Sequence, residues 1–316
     1  MLAVLSPGQG AQKPGFLIPW LTLDGVEAQL RAWSDVAGAD LIHLGTTADA
    51  EEIKDTAKTQ PLLTAAALIA AGQLQLPAAG VVAGHSVGEI GAAAIAGVLA
   101  PENAVAFAGV RGREMAAACA LEPTGMSAVL GGEESEVLAA IAENGLYPAN
   151  RNGAGQIVAA GAIDGLEKLS AEPPAKAKVI KLSVAGAFHT PYMAPAEQAL
   201  GAVAGGIIPS DPAKILLSNA DGAAVSSGAE LLSRLVRQVT APVRWDLVMA
   251  ALPQTGVTAV IELPPAGTLA GLVKRAVKGL EIVTVNTPDD LGQARDLILR
   301  HGGAPSHEAR IEGASA

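Results

Sequence analysis

Short apolar runs alternate with longer segments of helical spacing along the chain. "LAVL" at 2–5 is too short for a helix and stops at "SPGQG", whose proline and glycines mark a turn; it reads as a buried strand. Residues 27–45 mix apolar and charged positions at helical spacing, and "TQPLLTAAALIAAGQL" (59–74) continues as a largely buried helix. "AGVVAGHS" (79–86) is a short strand, followed by helices over "VGEIGAAAIAGVL" (87–99) and "ENAVAFAGVRGREMAAACA" (102–120). Such alternation favours a parallel sheet covered on both faces.

The pattern changes near Met126. "MSAVLGG" predicts a strand, "EESEVLAAIAENG" a helix, then "LYPANR" and "GQIVAAGA" two strands about the turn "NGAG". "IDGLEKLSAE" is a second helix and "AKVIKLSV" a closing strand, giving the βαββαβ order of a ferredoxin-like unit. From about Gly186 the α/β pattern resumes. It predicts helices over "MAPAEQALGAVAGGI", "GAELLSRLVRQV" and "GTLAGLVKRAV", and strands over "AKILLSN", "GVTAVIELP" and "LEIVTVN". The expectation is an α/β-hydrolase-like core with a parallel sheet, residues 1–125 and 187–300, interrupted by a ferredoxin-like α+β subdomain at 126–186. The tail 301–316 is small, polar and unperiodic, and is expected to be disordered.

Composition narrows the function classes. Of 316 residues, 50% are hydrophobic but only 3% aromatic, which suits closely packed helices on a sheet more than a stacking groove for nucleic acid. The net charge of -10 with no basic block excludes nonspecific phosphate binding, so no nucleic-acid partner is expected. A single cysteine rules out an internal disulfide and a Cys-rich metal site. "MLAVLSPGQG" lacks a signal peptide's charged start, and no apolar stretch reaches membrane-spanning length. A soluble cytoplasmic protein, with no membrane partner and a monomer by default, is the expectation.

"GHSVG" at 84–88 matches G-x-S-x-G in the context that motif requires, strand before and helix after. Its glycines permit a sharp turn that lifts the Ser86 hydroxyl above the sheet, and the helix aims N–H groups at a developing oxyanion. A serine nucleophile needs a base, and five histidines allow elimination. His43 sits at a helix end, where packing or a surface role suits it. His85 adjoins Ser86 and points elsewhere, and His301 and His307 lie in the tail. His189, in "VAGAFHTPYM", remains. Carboxylates such as Asp164 and Glu167 lie in the insert, so a Ser-His dyad whose other ring nitrogen donates to a backbone carbonyl is more economical than a hydrolase triad. Cys119, read as mid-helix in "MAAACALE", has the setting of an inert thiol.

Several motifs together resemble the malonyl-CoA:acyl-carrier-protein transacylases and the related acyltransferase domains of polyketide synthases. These are "PGQGAQ" (7–12), "TQPLL" (59–63), "GHSVGE" (84–89), "RGREM" (111–115), "NGAGQIVAAG" (152–161), "AFHT" (187–190) and "RQVTAPVRW" (237–245), which span nearly the whole chain. That family's fold is also an α/β-hydrolase-like domain with a ferredoxin-like insert. The resemblance implies that Ser86 is acylated, His189 is its base, and the backbone carbonyl of Gln238 orients the imidazole. The N–H groups of Gln9, in a Gly-flanked loop, and of Val87, next to the nucleophile, would form the oxyanion hole.

By the same resemblance Arg111 holds the free malonyl carboxylate, a role for which a bidentate guanidinium is suited. Arg113, two residues on, faces another side and is expected to be solvated. Gln60, Asn152 and Met115 match positions lining or bracing the pocket, with packing as the alternative. In polyketide acyltransferases a Phe-His pair such as Phe188-His189 accompanies malonyl units and Ser-His methylmalonyl. The implied reaction moves malonyl from malonyl-CoA to the phosphopantetheine of acyl carrier protein, a transient partner, with no bound cofactor and no metal. An acidic carrier would need a local basic patch, for which Lys178, Lys181, Lys274 and Arg275 are the guesses. Two departures stand out: Ala241 replaces the usual Asn before "PVRW", and a late loop reads Pro264-Pro265-Ala266. A serine esterase or thioesterase and a catalytically silent carrier-docking subunit remain as rival readings.

Overall fold

The computed structural model describes residues 1–302. In chain order its first part holds β1 (Leu2–Ser6), α1 (Val26–Ala37), α2 (Leu41–Thr46), α3 (Thr56–Gly72), β2 (Val81–Gly84), α4 (Gly88–Ile95) and α5 (Pro101–Cys119). A middle part follows with β3 (Thr124–Gly131), α6 (Glu134–Glu143), β4 (Tyr147–Gly153), β5 (Gln156–Ala162), α7 (Ile163–Ala171) and β6 (Ala177–Lys181). The last part contains α8 (Ala194–Ala204), β7 (Ile215–Leu217), β8 (Ala224–Val225), α9 (Gly228–Arg237) and α10 (Trp245–Gln254). It ends with β9 (Ala259–Glu262), α11 (Thr268–Ala276), β10 (Glu281–Thr284) and α12 (Leu291–His301).

Six strands form one sheet in the order β10-β9-β1-β2-β7-β8, parallel except for the short antiparallel β8. Its central strands are apolar except at their carboxyl ends, where Ser6 and Glu262 stand, because both faces are covered. Leu2, Val4, Val82, Leu216 and Ile261 point into a core on one side, and Ala3, Leu5, Val81, Leu217 and Val260 into a second core on the other. Four strands form a separate antiparallel sheet, β4-β5-β3-β6, the strand order of a ferredoxin-like unit. α6 and α7 cover one face of it, through Val137, Ile141, Leu166 and Leu169. The two sheets are tied by main-chain bonds: Val243 donates to Ala149 and accepts from Arg151, both at 2.9 Å.

The helical stretch at 27–45 divides into α1 and α2, because Gly38 adopts a left-handed φ of 66° and Asp40 caps a new helix through Ile42 and His43. α10 and α12 are additions to the pattern read above. Cys119 is the last residue of α5 rather than mid-helix, and is only half-buried. His301 ends α12, with its ring nitrogens on Thr258 and Glu281, so the expected disordered tail does not begin there. Residues 303–316 of that tail, His307 included, lie outside the described residues. The Pro264-Pro265 bond is cis, and the loop that follows is held by Glu262, whose carboxylate accepts from the N–H groups of Gly267, Leu269 and Ala270 at the start of α11.

Loops leaving the carboxyl ends of β1, β2 and β7 meet on one edge of the large sheet, where open α/β sheets place their sites. The tightest point is the turn from β2 into α4. A Cβ at Gly84 would stand 2.0 Å from the Gly88 carbonyl carbon, and one at Gly88 would stand 2.2 Å from the Ser6 carbonyl oxygen. Gly72, by contrast, has open space around its Cβ direction. Gly88→Ala is therefore expected to lose about 3 kcal/mol or more of stability by forcing α4 off β1. Gly72→Ala should change it by no more than about 1 kcal/mol, in the stabilising direction. Urea-unfolding midpoints of the two variants check the contrast.

Candidate active site

Ser86 occupies the turn between β2 and α4 with φ of 54°, a left-handed conformation that a serine adopts only when its surroundings impose it. Its backbone N–H donates to Asn219 Oδ1 at 2.8 Å, and Asn219 Nδ2 donates to the Gly84 carbonyl at 2.7 Å. Asn219, just past β7, thus grips both sides of the turn. The residue after Ser86, Val87, is the N-cap of α4. Among the described residues neither its N–H nor that of Gln9 is paired with a backbone acceptor, and both residues line the same cleft.

His189 also has a left-handed φ, 61°, and is 4% exposed. Its Nδ1 lies 2.8 Å from the Gln238 carbonyl oxygen and its Nε2 lies 2.7 Å from Ser86 Oγ. A carbonyl can only accept, so Nδ1 carries the proton and Nε2 is left to accept from the serine hydroxyl. Burial first, and the positive charge of Arg111 second, hold the imidazole down to about 3. The ring is therefore neutral in the resting protein. Cys119 moves the other way: burial pushes its thiol up to about 11, so it carries little thiolate.

Arg111 comes from the middle of α5 and is 1% exposed. Its Nη1 donates to Gln60 Oε1 at 2.6 Å; its Nη2 donates to Gln238 Oε1 at 2.8 Å and reaches Ser86 Oγ at 3.3 Å. Nε has no partner, and burial lowers the guanidinium to about 10. No carboxylate lies within salt-bridge distance among the described residues. This buried cation is ringed by neutral oxygens and lies beside the Ser86 hydroxyl, an arrangement with the chemistry to take up an anion. Arg113 takes a different path: its exposed side chain donates to the Ala37 carbonyl at the end of α1.

The cleft holds about 480 Å³ and runs between the two sheets. Gln9, Gln60, Ser86, Val87, Arg111 and Met115 line it on the large-sheet side, together with Phe188 and His189. Asn152 lines it from β4, where its Oδ1 accepts from His85 Nε2 at 2.9 Å. Met115 packs on Gln60, whose Nε2 points at the Met115 sulfur at 3.4 Å. Gln238 is brought to the site but stands behind the cleft wall. Among the described residues no group of three or more His, Cys, Asp and Glu side chains is placed to hold a metal, and no helix is long and apolar enough to cross a membrane.

Three contributions were not read from the sequence: the Gln238 side chain, Asn219 and Glu89. Glu89 is 1% exposed and stands on the otherwise apolar α4, which was the one available signal.

Residues 5–292 match the model of the acyl transferase domain. The chain belongs to the acyl transferase family. Among relatives of this acyl transferase, the malonyl CoA-acyl carrier protein transacylase of Mycobacterium tuberculosis is 55% identical over 302 residues, covering 94% of this chain and 100% of the relative. Its counterpart from Escherichia coli is 32% identical, over 93% of this chain and 99% of its own length. The MCAT crystal structure from Mycobacterium tuberculosis superposes with a TM-score of 0.90 at 53% identity, over 93% of this chain and 99% of the other. A malonyl-transacylase in complex with its type II polyketide acyl-carrier protein superposes at 0.87 with 30% identity, over 94% and 99%. The acyl transferase fold expected above, a parallel sheet with a ferredoxin-like subdomain, is found with one addition, the short antiparallel β8 at the sheet edge.

The low His189 value has a measurable sign. Because the folded-state value lies below the ordinary 6.5, the neutral, proton-accepting form persists as pH falls through the 6–7 range. Ser86 acylation by an uncharged ester such as p-nitrophenyl acetate should keep its neutral-pH rate down to about pH 5. Arg111→Ala, which removes a positive neighbour, should move the acid limb upward. An acid limb at the ordinary histidine value in the unaltered protein would contradict this account.

Proposed function

We propose that this acyl transferase moves a malonyl group from malonyl-CoA to the phosphopantetheine thiol of an acyl carrier protein through a malonyl ester on Ser86. The observation that carries the reading is the buried guanidinium of Arg111, without a carboxylate partner and 3.3 Å from Ser86 Oγ. An esterase for neutral acyl groups has no use for that charge, whereas a malonyl carboxylate completes it.

His189 Nε2 takes the Ser86 hydroxyl proton as Oγ attacks the thioester carbonyl. The negative oxygen of the tetrahedral intermediate is met by the N–H groups of Val87 and Gln9, with the α4 dipole behind the first. Collapse of the intermediate expels the CoA thiolate, which His189 protonates. The carrier's thiol then enters the same cleft, gives its proton to His189 and attacks the malonyl ester; the bond to Ser86 Oγ breaks, Oγ takes the proton back from His189, and the malonyl group leaves as the carrier's thioester. Gln238 keeps the imidazole in one tautomer through both halves. Phe188 lines the cleft next to His189, and on this reading its ring disfavours a methyl branch on the acyl group; such a filter is worth about 1–3 kcal/mol. The chain itself requires no bound cofactor for these steps. The same reading places a monomer in the cytoplasm.

The carrier must approach a protein of net charge -10. Lys178 lies exposed on β6, an edge strand of the small sheet, with Lys181 at its end. Lys274 and Arg275 lie exposed in the last turn of α11, whose Thr268, Leu269 and Leu272 line the cleft. The four cations thus stand on elements at the two flanks of the opening and support a docking role for an acidic carrier.

Intact mass after mixing with malonyl-CoA should show one malonyl adduct, absent in Ser86→Ala. Arg111→Ala should lose malonyl transfer by on the order of 100-fold or more while acetyl thioesters are still accepted. Undiminished malonyl transfer by that variant would overturn the assignment. Reversing the charges of Lys178, Lys181, Lys274 and Arg275 together should raise the KM for the carrier and leave the first acylation half-reaction unchanged. An unaltered carrier KM would refute the docking surface.

A further inference from the structure

Arg111 is surrounded by amide oxygens, and the orientation of those amides has a traceable origin. Gln238 presents Oε1 to Arg111, while its Nε2 donates to Glu89 Oε2 at 2.5 Å and approaches Asn219 Oδ1 at 3.3 Å. Asn219 is itself fixed, since Oδ1 must accept from the Ser86 N–H and Nδ2 must donate to Gly84. Glu89 Oε1 accepts from the Asn219 backbone N–H at 3.0 Å. An ionised carboxylate can only accept, so the amino end of Gln238 is drawn to Glu89 and its oxygen is turned to Arg111. Reversing the amide would set an N–H₂ group against a guanidinium and a carbonyl against a carboxylate.

We infer that Glu89 is a positioning residue for acyl selection: through Gln238 it holds the Arg111 guanidinium toward the acyl group while remaining one side chain removed, so that its charge is felt at Arg111 without occupying the guanidinium's N–H groups. A carboxylate in direct contact would pair with Arg111 and compete with the substrate. A neutral glutamine between the two orients without quenching. The inference rests on the malonyl reading above, because it concerns how the carboxylate receptor is kept open.

Glu89 also has a route to solvent apart from the acyl cleft. With Gln238, Ser218 and Arg234 it lines a second hollow of about 300 Å³ that shares no lining residue with the cleft. Burial first raises the Glu89 carboxyl to about 7, against the hydrogen bonds from Asn219, Ser218 and Gln238 and the charge of Arg234. The charged groups facing it are Arg111 from α5 and Arg234 from α9, the latter paired with Asp221 and Glu230. Below its raised value Glu89 is protonated, is no longer a pure acceptor, and releases its hold on the amide. His189 and Arg111, lowered to about 3 and about 10, do not titrate in that window.

Glu89→Gln keeps the shape and removes the obligate acceptor. Its own amide must serve the fixed Asn219 N–H with oxygen and so offers N–H₂ to Gln238, which turns over. The expected result is a rise in the KM for malonyl-CoA of about tenfold or more, with kcat changed less and Ser86 acylation by an uncharged ester within about twofold. In the unaltered protein the preference for malonyl-CoA over acetyl-CoA should fall as pH drops from about 8 to about 6, and in the variant it should be low and flat. A wild-type malonyl KM in a folded variant overturns the inference, as does an equal loss on malonyl and uncharged substrates, which marks simple damage. If the variant does not fold, the pH series on the unaltered protein decides alone: a flat preference overturns it. Absence of any malonyl preference at pH 8 removes the functional reading first and this inference with it.

Discussion

A positive charge buried with no carboxylate in contact among the described residues is the constraint on which this site is built. Arg111 is 1% exposed, and the side chains touching it are neutral. Such a group costs several kcal/mol to desolvate unless its N–H groups are satisfied, and Gln60 and Gln238 satisfy two of them. The remaining demand is left for a ligand. The same charge bears on the base, because Arg111 is the second cause, after burial, of the low His189 value. An anion seated on the guanidinium would relieve both groups together, coupling substrate recognition to the basicity of the residue that starts the reaction.

Ser86 depends on a different kind of constraint, one of space. Two glycines let α4 approach β1 and β2 more closely than any side chain permits, and that approach forces Ser86 into its left-handed conformation. Asn219 then clamps the turn from the neighbouring strand β7. His189 is held in an equally unusual backbone state and anchored by a carbonyl rather than a carboxylate. A carbonyl anchor fixes the tautomer without adding negative charge, so the imidazole stays a weak, neutral base in a site that already expects an anion.

Much of this was legible in the sequence where the signal is local. Strand, turn and helix around "GHSVG" follow from apolar runs and glycine spacing, and His189 follows by elimination among five histidines. The side chain of Arg111 was a harder case, since periodicity in a helix as apolar as α5 does not say which face meets a cleft; resemblance supplied that. Asn219 and the Gln238 amide gave no signal, and Glu89 only that of a lone charge on an apolar helix, because their partnership is made across space, by β7 lying against β2 and α9 ending behind the elbow. α10 escaped notice because Pro253 lies inside it and Leu247, Ala250 and Ala251 add apolar positions outside its buried face. α12 falls unassigned between the last strand and the tail, although Leu291, Ala294 and Leu297 give it one buried face.

The seam between the sheets has one further consequence. Val243 exchanges main-chain bonds with Ala149 and Arg151 on one flank of the cleft, and His85 holds Asn152 across its floor. Prising the two halves apart would break backbone pairing as well as side-chain contact, so the opening acts as a slot of set gauge rather than a closing jaw. Anything delivered to Ser86 must be thin enough to thread it and long enough to reach bottom. Reach therefore belongs to the visitor's flexible arm, and the protein contributes the fixed depth against which that arm is measured.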